Sequence, residues 1–164
     1  ELMKPKANLE KAGIETTVVS LESGKIKGWD QDDWGQSVAV DKTVSEATVS
    51  DYDALVLPGG QINPDLLRAN KDAVALIRKF HDSGKTVAAI CHAPWLLIEA
   101  GLVEGKTLTS YHSIRTDMKN AGANVVDQEV AEDGNLITSR NPDDIPAFSD
   151  RLISRVMERV PENA

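Results

Sequence analysis

Two kinds of hydrophobic pattern alternate along this chain. Short, continuous apolar runs at Asp53–Leu57 and Thr86–Ile90 indicate strands that are buried on both faces. Apolar residues recur at helical spacing over Pro64–Ser83 and Pro94–Ala100, which predicts a helix after each strand. Gly84, a typical helix stop, follows the longer of these segments. The middle of the chain is therefore predicted to run strand, helix, strand, helix.

Similar patterns extend toward both ends of the chain. They predict a first helix that ends at Gly13 and has Leu2, Ala7, Leu9 and Ala12 on its apolar face. They next predict a strand over Ile14–Leu21 and hairpin-like or irregular structure over Gly24–Val40. Beyond the middle of the chain they predict a strand over Thr107–Ser110 and a helix over Ile114–Ala121. They also predict strands over Val125–Val130 and Asn135–Ser139, as a hairpin or in succession, and a last helix over Pro146–Val160 with Ile145, Phe148, Leu152, Val156 and Val160 as its buried stripe. This alternation predicts an α/β fold, a flavodoxin-like three-layer sandwich with a mainly parallel sheet.

Length and composition fit a single domain. The 164 residues can enclose one sizeable core, so we expect residues 1–164 to form one domain. The formal net charge of -8 would repel phosphate groups, which disfavours nucleic-acid and membrane partners. No apolar stretch approaches the roughly 18 residues of a membrane span. A single cysteine cannot form an intrachain disulfide, so we expect a cytoplasmic protein.

The one cysteine of the chain, Cys91, lies where a buried strand meets the next helix. In an open α/β sheet, ligands bind at the carboxyl ends of strands, and Leu57–Gly60 and Ile90–His92 are two such ends. A nucleophile on a sharp strand-to-helix turn is held outward, and the helix N-terminus favours ionisation of a thiol there. The backbone N–H groups of His92 and Gly60 are candidates for binding an oxyanion. The pattern therefore predicts a nucleophilic cysteine.

Simpler interpretations of these residues stay open. A lone cysteine is often a small buried apolar residue, and His92 taken alone is an ordinary surface or capping histidine. Adjacent Cys and His do not have a metal-ligand spacing, and the chain has no H-x-x-x-H or C-x-x-C motif, so we expect no metal site. It also lacks a P-loop and a G-x-G-x-x-G motif.

Five segments of the chain, in order, resemble one protein family. They are DALVLPGG, NPDLLR, GKTVAAICHAPWLLIEAGLVEGKTLTSY, DMKNAGA and TSRNPDDIPAF. Together they are similar to the DJ-1/PfpI superfamily, and specifically to its PfpI-like branch of protein deglycases and intracellular proteases. The resemblance runs from residue 1 almost to the end of the chain. Its most specific part is AICHAPW with LPGG upstream.

The resemblance implies a role for each residue of a cysteine site. Cys91 matches the family nucleophile, and the N–H groups of Gly60 and His92 match its oxyanion site. Glu1 matches the glutamate that hydrogen-bonds the cysteine, and Tyr111 falls at a pocket-lining position. Family members begin with a further apolar strand, so we expect residues before Glu1 in the complete protein.

The resemblance also implies a homodimer or a higher homo-oligomer. In the PfpI-like branch, the histidine after the cysteine pairs with an acidic residue of a neighbouring subunit. The sequence N-P-D places Asp65 at that position, as an aspartate where some members have glutamate. We therefore expect Asp65 to reach His92 of the neighbouring site.

The activity that the resemblance implies is a cofactor-independent reaction on glyoxal or methylglyoxal and on their early adducts with amines or thiols. A second hypothesis is peptide hydrolysis by Cys91, His92 and the neighbour's Asp65, for which the imidazole must turn back toward the adjacent sulfur. A third is non-catalytic redox sensing through oxidation of Cys91. Glutamine amidotransfer shares the fold but requires a later histidine, and none follows His112.

Overall fold

The structure, a computed structural model, describes residues 3–14, 16, 19–20, 24–30, 33–40, 42–43, 52–57 and 68–159. The helices in these ranges are α1 (Met3–Lys11), α2 (Lys71–Asp82), α3 (Pro94–Glu99), α4 (Arg115–Asn120) and α5 (Ile145–Arg159), with 3₁₀ turns at His112–Ile114 and Pro142–Asp144. The strands are β1 (Val19–Ser20), β2 (Gly24–Asp30), β3 (Asp33–Val40), β4 (Lys42–Thr43), β5 (Ala54–Leu57), β6 (Thr86–Ile90), β7 (Thr107–Leu108), β8 (Asn124–Val125), β9 (Ala131–Asp133) and β10 (Leu136–Ser139).

Strand β6 lies inside a four-stranded sheet of order β5-β6-β10-β9. Strands β5, β6 and β10 are parallel, and β9 is antiparallel to β10. Every residue of β6 is buried, as expected for a continuous apolar run in a sheet that is covered on both faces. Smaller parallel pairs join β1 to β4 and β7 to β8, and β2 and β3 form an antiparallel pair.

Alternate side chains of β6 enter two separate cores. Val87 and Ala89 belong to the core that holds α2, α3 and α4, whereas Ala88 and Ile90 belong to the core that holds α1 and α5. Helices therefore cover both faces of a mainly parallel sheet, which confirms the predicted flavodoxin-like α/β fold. The helix residues in the first core include Val74, Ile77, Phe80, Leu96, Leu97 and Met118, and those in the second include Leu9, Phe148 and Leu152.

The helical pattern predicted over Pro64–Ser83 does not form one helix. Asn70 has an extended backbone, and its side-chain oxygen accepts a 2.9 Å hydrogen bond from the N–H of Ala73. This is the geometry of an N-cap, so helix α2 begins only at Lys71. The prediction of one continuous helix is wrong at Asn70, because this asparagine within an apolar-periodic segment starts a new helix; residues 64–67 lie outside the described residues. Gly84, with φ of +80°, ends α2 as predicted.

The strand predicted over Val125–Val130 is also wrong in most of its length. Val125 pairs with Leu108, and one further backbone bond joins Val126 N–H to the Leu108 carbonyl. The pairing stops there because β7 itself ends at Leu108. The hairpin consists of β9 and β10.

The strand predicted over Ile14–Leu21 is too long, since Ile14 and Thr16 lie outside β1, and the strand predicted over Thr107–Ser110 ends at Leu108. The remaining predicted elements agree with the structure where it describes them. Strands β2 and β3 form the hairpin expected within Gly24–Val40, with a register shift between Lys27 and Trp29. Helix α5 buries the predicted stripe as far as Val156, and Val160 lies outside the described residues. Among the described helices, none has both the length and the apolar content that crossing a membrane requires.

Replacing Phe148 with alanine is expected to destabilise the protein by about 3–5 kcal/mol, because this fully buried ring would leave a cavity between α5 and the sheet. Met157 is the matched control on the same helix, since it is 45% exposed. Met157→Ala should change the free energy of unfolding by less than about 0.5 kcal/mol. Urea unfolding measures both values, and equal losses would contradict this packing of α5.

Candidate active site

Cys91 follows β6 directly and turns the chain sharply toward α3. Its φ of 66° makes it the one non-glycine residue with positive φ in the described part of the chain. This left-handed conformation costs an L-residue about 1–2 kcal/mol. Two backbone hydrogen bonds hold it: the N–H of Cys91 donates to the Ser139 carbonyl at 3.1 Å, and the N–H of Tyr111 donates to the Cys91 carbonyl at 2.8 Å. The cysteine is thus fixed at the carboxyl end of β6.

The imidazole of His92 turns back toward the sulfur of Cys91. Nδ1 of His92 lies 3.2 Å from Sγ of Cys91, so the two adjacent side chains are in hydrogen-bonding contact. Nε2 of the same ring lies 3.2 Å from Oγ of Ser113. Which group donates in each contact depends on the tautomer of the ring. His92 therefore connects a buried thiol to a hydroxyl on the opposite edge of the imidazole.

Two aromatic rings pack against the imidazole of His92. The ring centroid of Tyr111 lies 4.6 Å from the centroid of the imidazole, and that of Trp95 lies 5.2 Å from the same point. His92 is only 8% exposed. Burial lowers the pKa of His92, and the nearby His112 lowers it further. The neutral imidazole is therefore the main form at neutral pH.

Trp95 is itself held by contacts with two side chains, those of Asp117 and Arg68. Its Nε1–H donates to Oδ2 of Asp117 on α4 at 3.0 Å. The guanidinium of Arg68 lies 5.2 Å from the centre of its ring, a cation–π contact, and also 3.8 Å from a carboxylate oxygen of Glu99. These contacts fix the indole, which in turn limits the movement of His92.

An ion-pair network joins the end of β10 to the segment that carries Ser113. Arg140 donates to both carboxylate oxygens of Asp144, at 2.9 and 3.0 Å, and also to Asp127. Arg115 donates to the same oxygen of Asp127 at 2.9 Å. Burial acts to raise the pKa of Asp144, but its hydrogen bonds to Arg140 outweigh this and lower the pKa below its usual value. The network stabilises the backbone on both sides of the cysteine turn.

The structure places some of the predicted site residues together and does not describe others. Cys91, His92 and Tyr111 meet at the end of β6. Glu1, Gly60 and Asp65 lie outside the described residues, so their roles stay predictions. Within the described part of the chain, no cluster of three or more His, Cys, Asp or Glu side chains is arranged to hold a metal ion.

Ser113, Trp95 and Arg68 are site residues that the sequence did not indicate. A serine on a short 3₁₀ turn resembles many surface serines, and only its spatial approach to Nε2 of His92 distinguishes it. Trp95 could have been found from its place four residues after Cys91, at the start of helix α3.

Known proteins resemble the chain over most of its length. The model of the DJ-1/PfpI family matches residues 1–155 of the chain. The chain belongs to the DJ-1/PfpI family. Deglycase PfpI of Pyrococcus furiosus is 45% identical over 148 residues, which are 90% of this chain and 86% of that protein. Protein/nucleic acid deglycase 2 of Escherichia coli is 45% identical over 151 residues, 91% of this chain and 86% of that protein.

Further members of the DJ-1/PfpI family extend the comparison. The candidate cysteine protease YraA of Bacillus subtilis is 43% identical over 150 residues, 91% of this chain and 86% of that protein. A solved two-domain protein of Anabaena variabilis, with DJ-1/ThiJ/PfpI-like and ferritin-like domains, has a TM-score of 0.89 and 39% identity over 96% of this chain and 44% of that one. DJ-1beta of Drosophila melanogaster has a TM-score of 0.82 and 32% identity over 96% of this chain and 86% of that one. The predicted family is confirmed.

Acid should destabilise this DJ-1/PfpI-family protein partly through His92. An unfolded histidine binds a proton with a pKa of about 6.5, whereas folded His92 binds it only at lower pH. The stability that its neutral form contributes is therefore complete above the unfolded pKa and is lost as the pH falls through the folded pKa. His92→Phe removes this titration but keeps an aromatic ring. Its urea midpoint should fall less than that of the wild type between about pH 7.5 and pH 5.5. The same fall in both proteins would contradict the lowered pKa.

Proposed function

We propose that this protein is a cysteine-dependent enzyme that acts on glyoxal and methylglyoxal and on their early adducts with protein amines or thiols. One observation carries the proposal. Cys91 has a φ of 66° and follows a buried strand, and its sulfur lies 3.2 Å from Nδ1 of His92. Two relatives at 45% identity are named deglycases, which supports the deglycase part of the proposal.

In this proposal the turn at Cys91 is a nucleophile elbow. Ligands of open α/β sheets bind at the carboxyl ends of the strands, which is where the turn holds the thiol. A neutral His92 is a proton acceptor, and its Nδ1 is within hydrogen-bond distance of the sulfur. Together these features would supply a thiolate, the nucleophilic form of cysteine. A chain with one cysteine suits the reducing cytoplasm, where we propose that the enzyme acts.

The reaction with methylglyoxal would begin when the thiolate adds to the aldehyde carbon. A C–S bond forms, and the carbonyl electrons move to the oxygen, where the N–H groups of His92 and Gly60 would bind the negative charge. Glu1 would transfer the hydrogen from the former aldehyde carbon to the neighbouring carbon, and the oxygen on that neighbouring carbon would take up a proton from solvent, which converts the adduct into a thioester of lactate. Water would hydrolyse the thioester, so the net reaction adds one water to methylglyoxal and requires no oxidant.

We also propose that the active enzyme is a homodimer or a larger homo-oligomer. Asp65 of one subunit would approach His92 of the other, as in the PfpI-like branch. Because Nδ1 of His92 faces Cys91, this carboxylate would bind at the Nε2 edge, beside Ser113. The aspartate would then hold the imidazole from outside the chain, while Tyr111 and Trp95 pack on its ring.

Replacement of Cys91 by serine should lower the rate of lactate formation from methylglyoxal by about 100-fold or more, because a serine hydroxyl ionises far less readily than a thiol. Thr116→Ala is a matched control, since Thr116 is an exposed residue of α4. Its rate should equal that of the wild type. Urea unfolding of each variant confirms that it is folded, and full turnover by Cys91→Ser would refute the proposal.

The contact between Cys91 and His92 also favours peptide hydrolysis as a second candidate function. A thiol and an imidazole at hydrogen-bond distance are the first two members of a cysteine-protease triad, and the relative YraA is a candidate cysteine protease. The two candidates depend on different acids. The carbonyl reaction uses Glu1 as its proton carrier, whereas peptide hydrolysis uses Asp65 to orient His92.

The complete protein should therefore respond differently to Glu1→Gln and Asp65→Asn. We expect Glu1→Gln to lower methylglyoxal turnover by about tenfold or more, because an amide cannot carry the proton. Asp65→Asn should lower it less. A fluorogenic peptide assay on the same samples measures the second candidate. Peptide turnover faster than methylglyoxal turnover, and lost in Asp65→Asn, would instead support the peptidase.

A further inference from the structure

A path of three polar groups leads from the buried sulfur of Cys91 to the protein surface. Cys91 and His92 are 4% and 8% exposed, whereas Ser113 is exposed. The two contacts that connect them, Sγ to Nδ1 and Nε2 to Oγ, are both 3.2 Å. The two ring nitrogens of one imidazole therefore face the thiol and the hydroxyl.

We propose that Ser113 is a positioning residue for Cys91 that acts through His92. Its hydroxyl holds the imidazole with Nδ1 toward the sulfur and passes the thiol proton to solvent. This role rests on the proposed function, because Cys91 is the nucleophile of that reaction. It concerns the step in which the thiol of Cys91 is ionised.

The proton transfer balances with a solvent water as the final proton acceptor. The S–H bond of Cys91 breaks, its electron pair stays on the sulfur, and the proton moves to Nδ1 of His92. The proton on Nε2 then moves to Oγ of Ser113, as the original hydroxyl proton of Ser113 moves to a solvent water. The products are a thiolate, a neutral imidazole that is protonated on Nδ1, an intact serine and a hydronium ion.

Within the described part of the chain, the surroundings of His92 favour such a transfer over a stable imidazolium. The ring is buried, and both its burial and the nearby His112 disfavour a positive charge on it. A hydroxyl is suited to this position, because it can accept a hydrogen bond from the Nε2–H of one tautomer and donate a hydrogen bond to Nε2 of the other. Ser113 can therefore bind the ring both before and after the thiol ionises.

The backbone that carries Ser113 is tied to the same turn as the cysteine. The N–H of Tyr111 donates to the Cys91 carbonyl at 2.8 Å, and the N–H of Ile114 donates to the Tyr111 carbonyl at 3.1 Å. Arg115, two residues after Ser113, joins the ion-pair network of Arg140 through Asp127. The distance between the hydroxyl and Nε2 is thus set by the turn itself and by contacts on its far side.

The test is the rate of alkylation of Cys91 by iodoacetamide as a function of pH, since the chain has one cysteine. Ser113→Ala should alkylate about threefold to tenfold more slowly at pH 7, with its profile moved to higher pH. Ser113→Thr, which keeps the hydroxyl, should recover most of the wild-type profile. Thr116→Ala, which removes an exposed hydroxyl from the following helix, should coincide with the wild type.

A second arm tests whether Ser113 acts through His92. In a His92→Phe background, Ser113→Ala should have no further effect on alkylation. The inference is overturned if Ser113→Ala coincides with the wild type, or if it slows alkylation equally in both backgrounds. Alkylation requires no turnover, so a shifted profile in a protein that does not convert methylglyoxal would support the role of Ser113 and contradict only the proposed function.

Discussion

The left-handed backbone of Cys91 is the constraint on which the rest of the site depends. It is held by one hydrogen bond from the cysteine N–H to Ser139 and one from Tyr111 to the cysteine carbonyl. A strained residue persists only where its surroundings determine its conformation. Here the fully buried β6 fixes the chain before the turn, and the ion pairs of Arg140 stabilise the segment beside Ser139. The sulfur and the imidazole of His92 meet as a consequence.

The two cores of the sheet explain how such a small site can be rigid. Ile90 and Ala89, the last residues of β6, are both fully buried, and they pack on opposite faces of the sheet. Because protein interiors are closely packed, a shift of the strand toward one helix layer would cause clashes on that face and lose contacts on the other. The rigidity continues through Trp95, which packs on His92 and is itself held by Asp117. The catalytic proposal depends on this continuity from sheet to imidazole.

Sequence pattern predicted best the features that depend on burial. The apolar run of β6 and the buried stripe of α5 were predictable, because few structures other than a buried strand and an amphipathic helix produce these patterns. The helix break at Asn70 depends on one side-chain hydrogen bond, and the short strand at Val125 depends on where its partner ends. The contact of Ser113 with His92 joins residues 21 apart and leaves no periodic signal. Features set by single specific contacts were therefore missed.

The proposed mechanism requires the thiol of Cys91 to form a covalent bond with the carbonyl substrate. Because the chain has a single cysteine, its alkylation can be followed by intact mass without ambiguity. The direct measurement is the rate of lactate formation from methylglyoxal against the fraction of Cys91 that has been alkylated in the wild-type protein. The rate should fall in proportion to that fraction and reach zero at complete alkylation. An unchanged rate in fully alkylated protein would contradict the proposed mechanism.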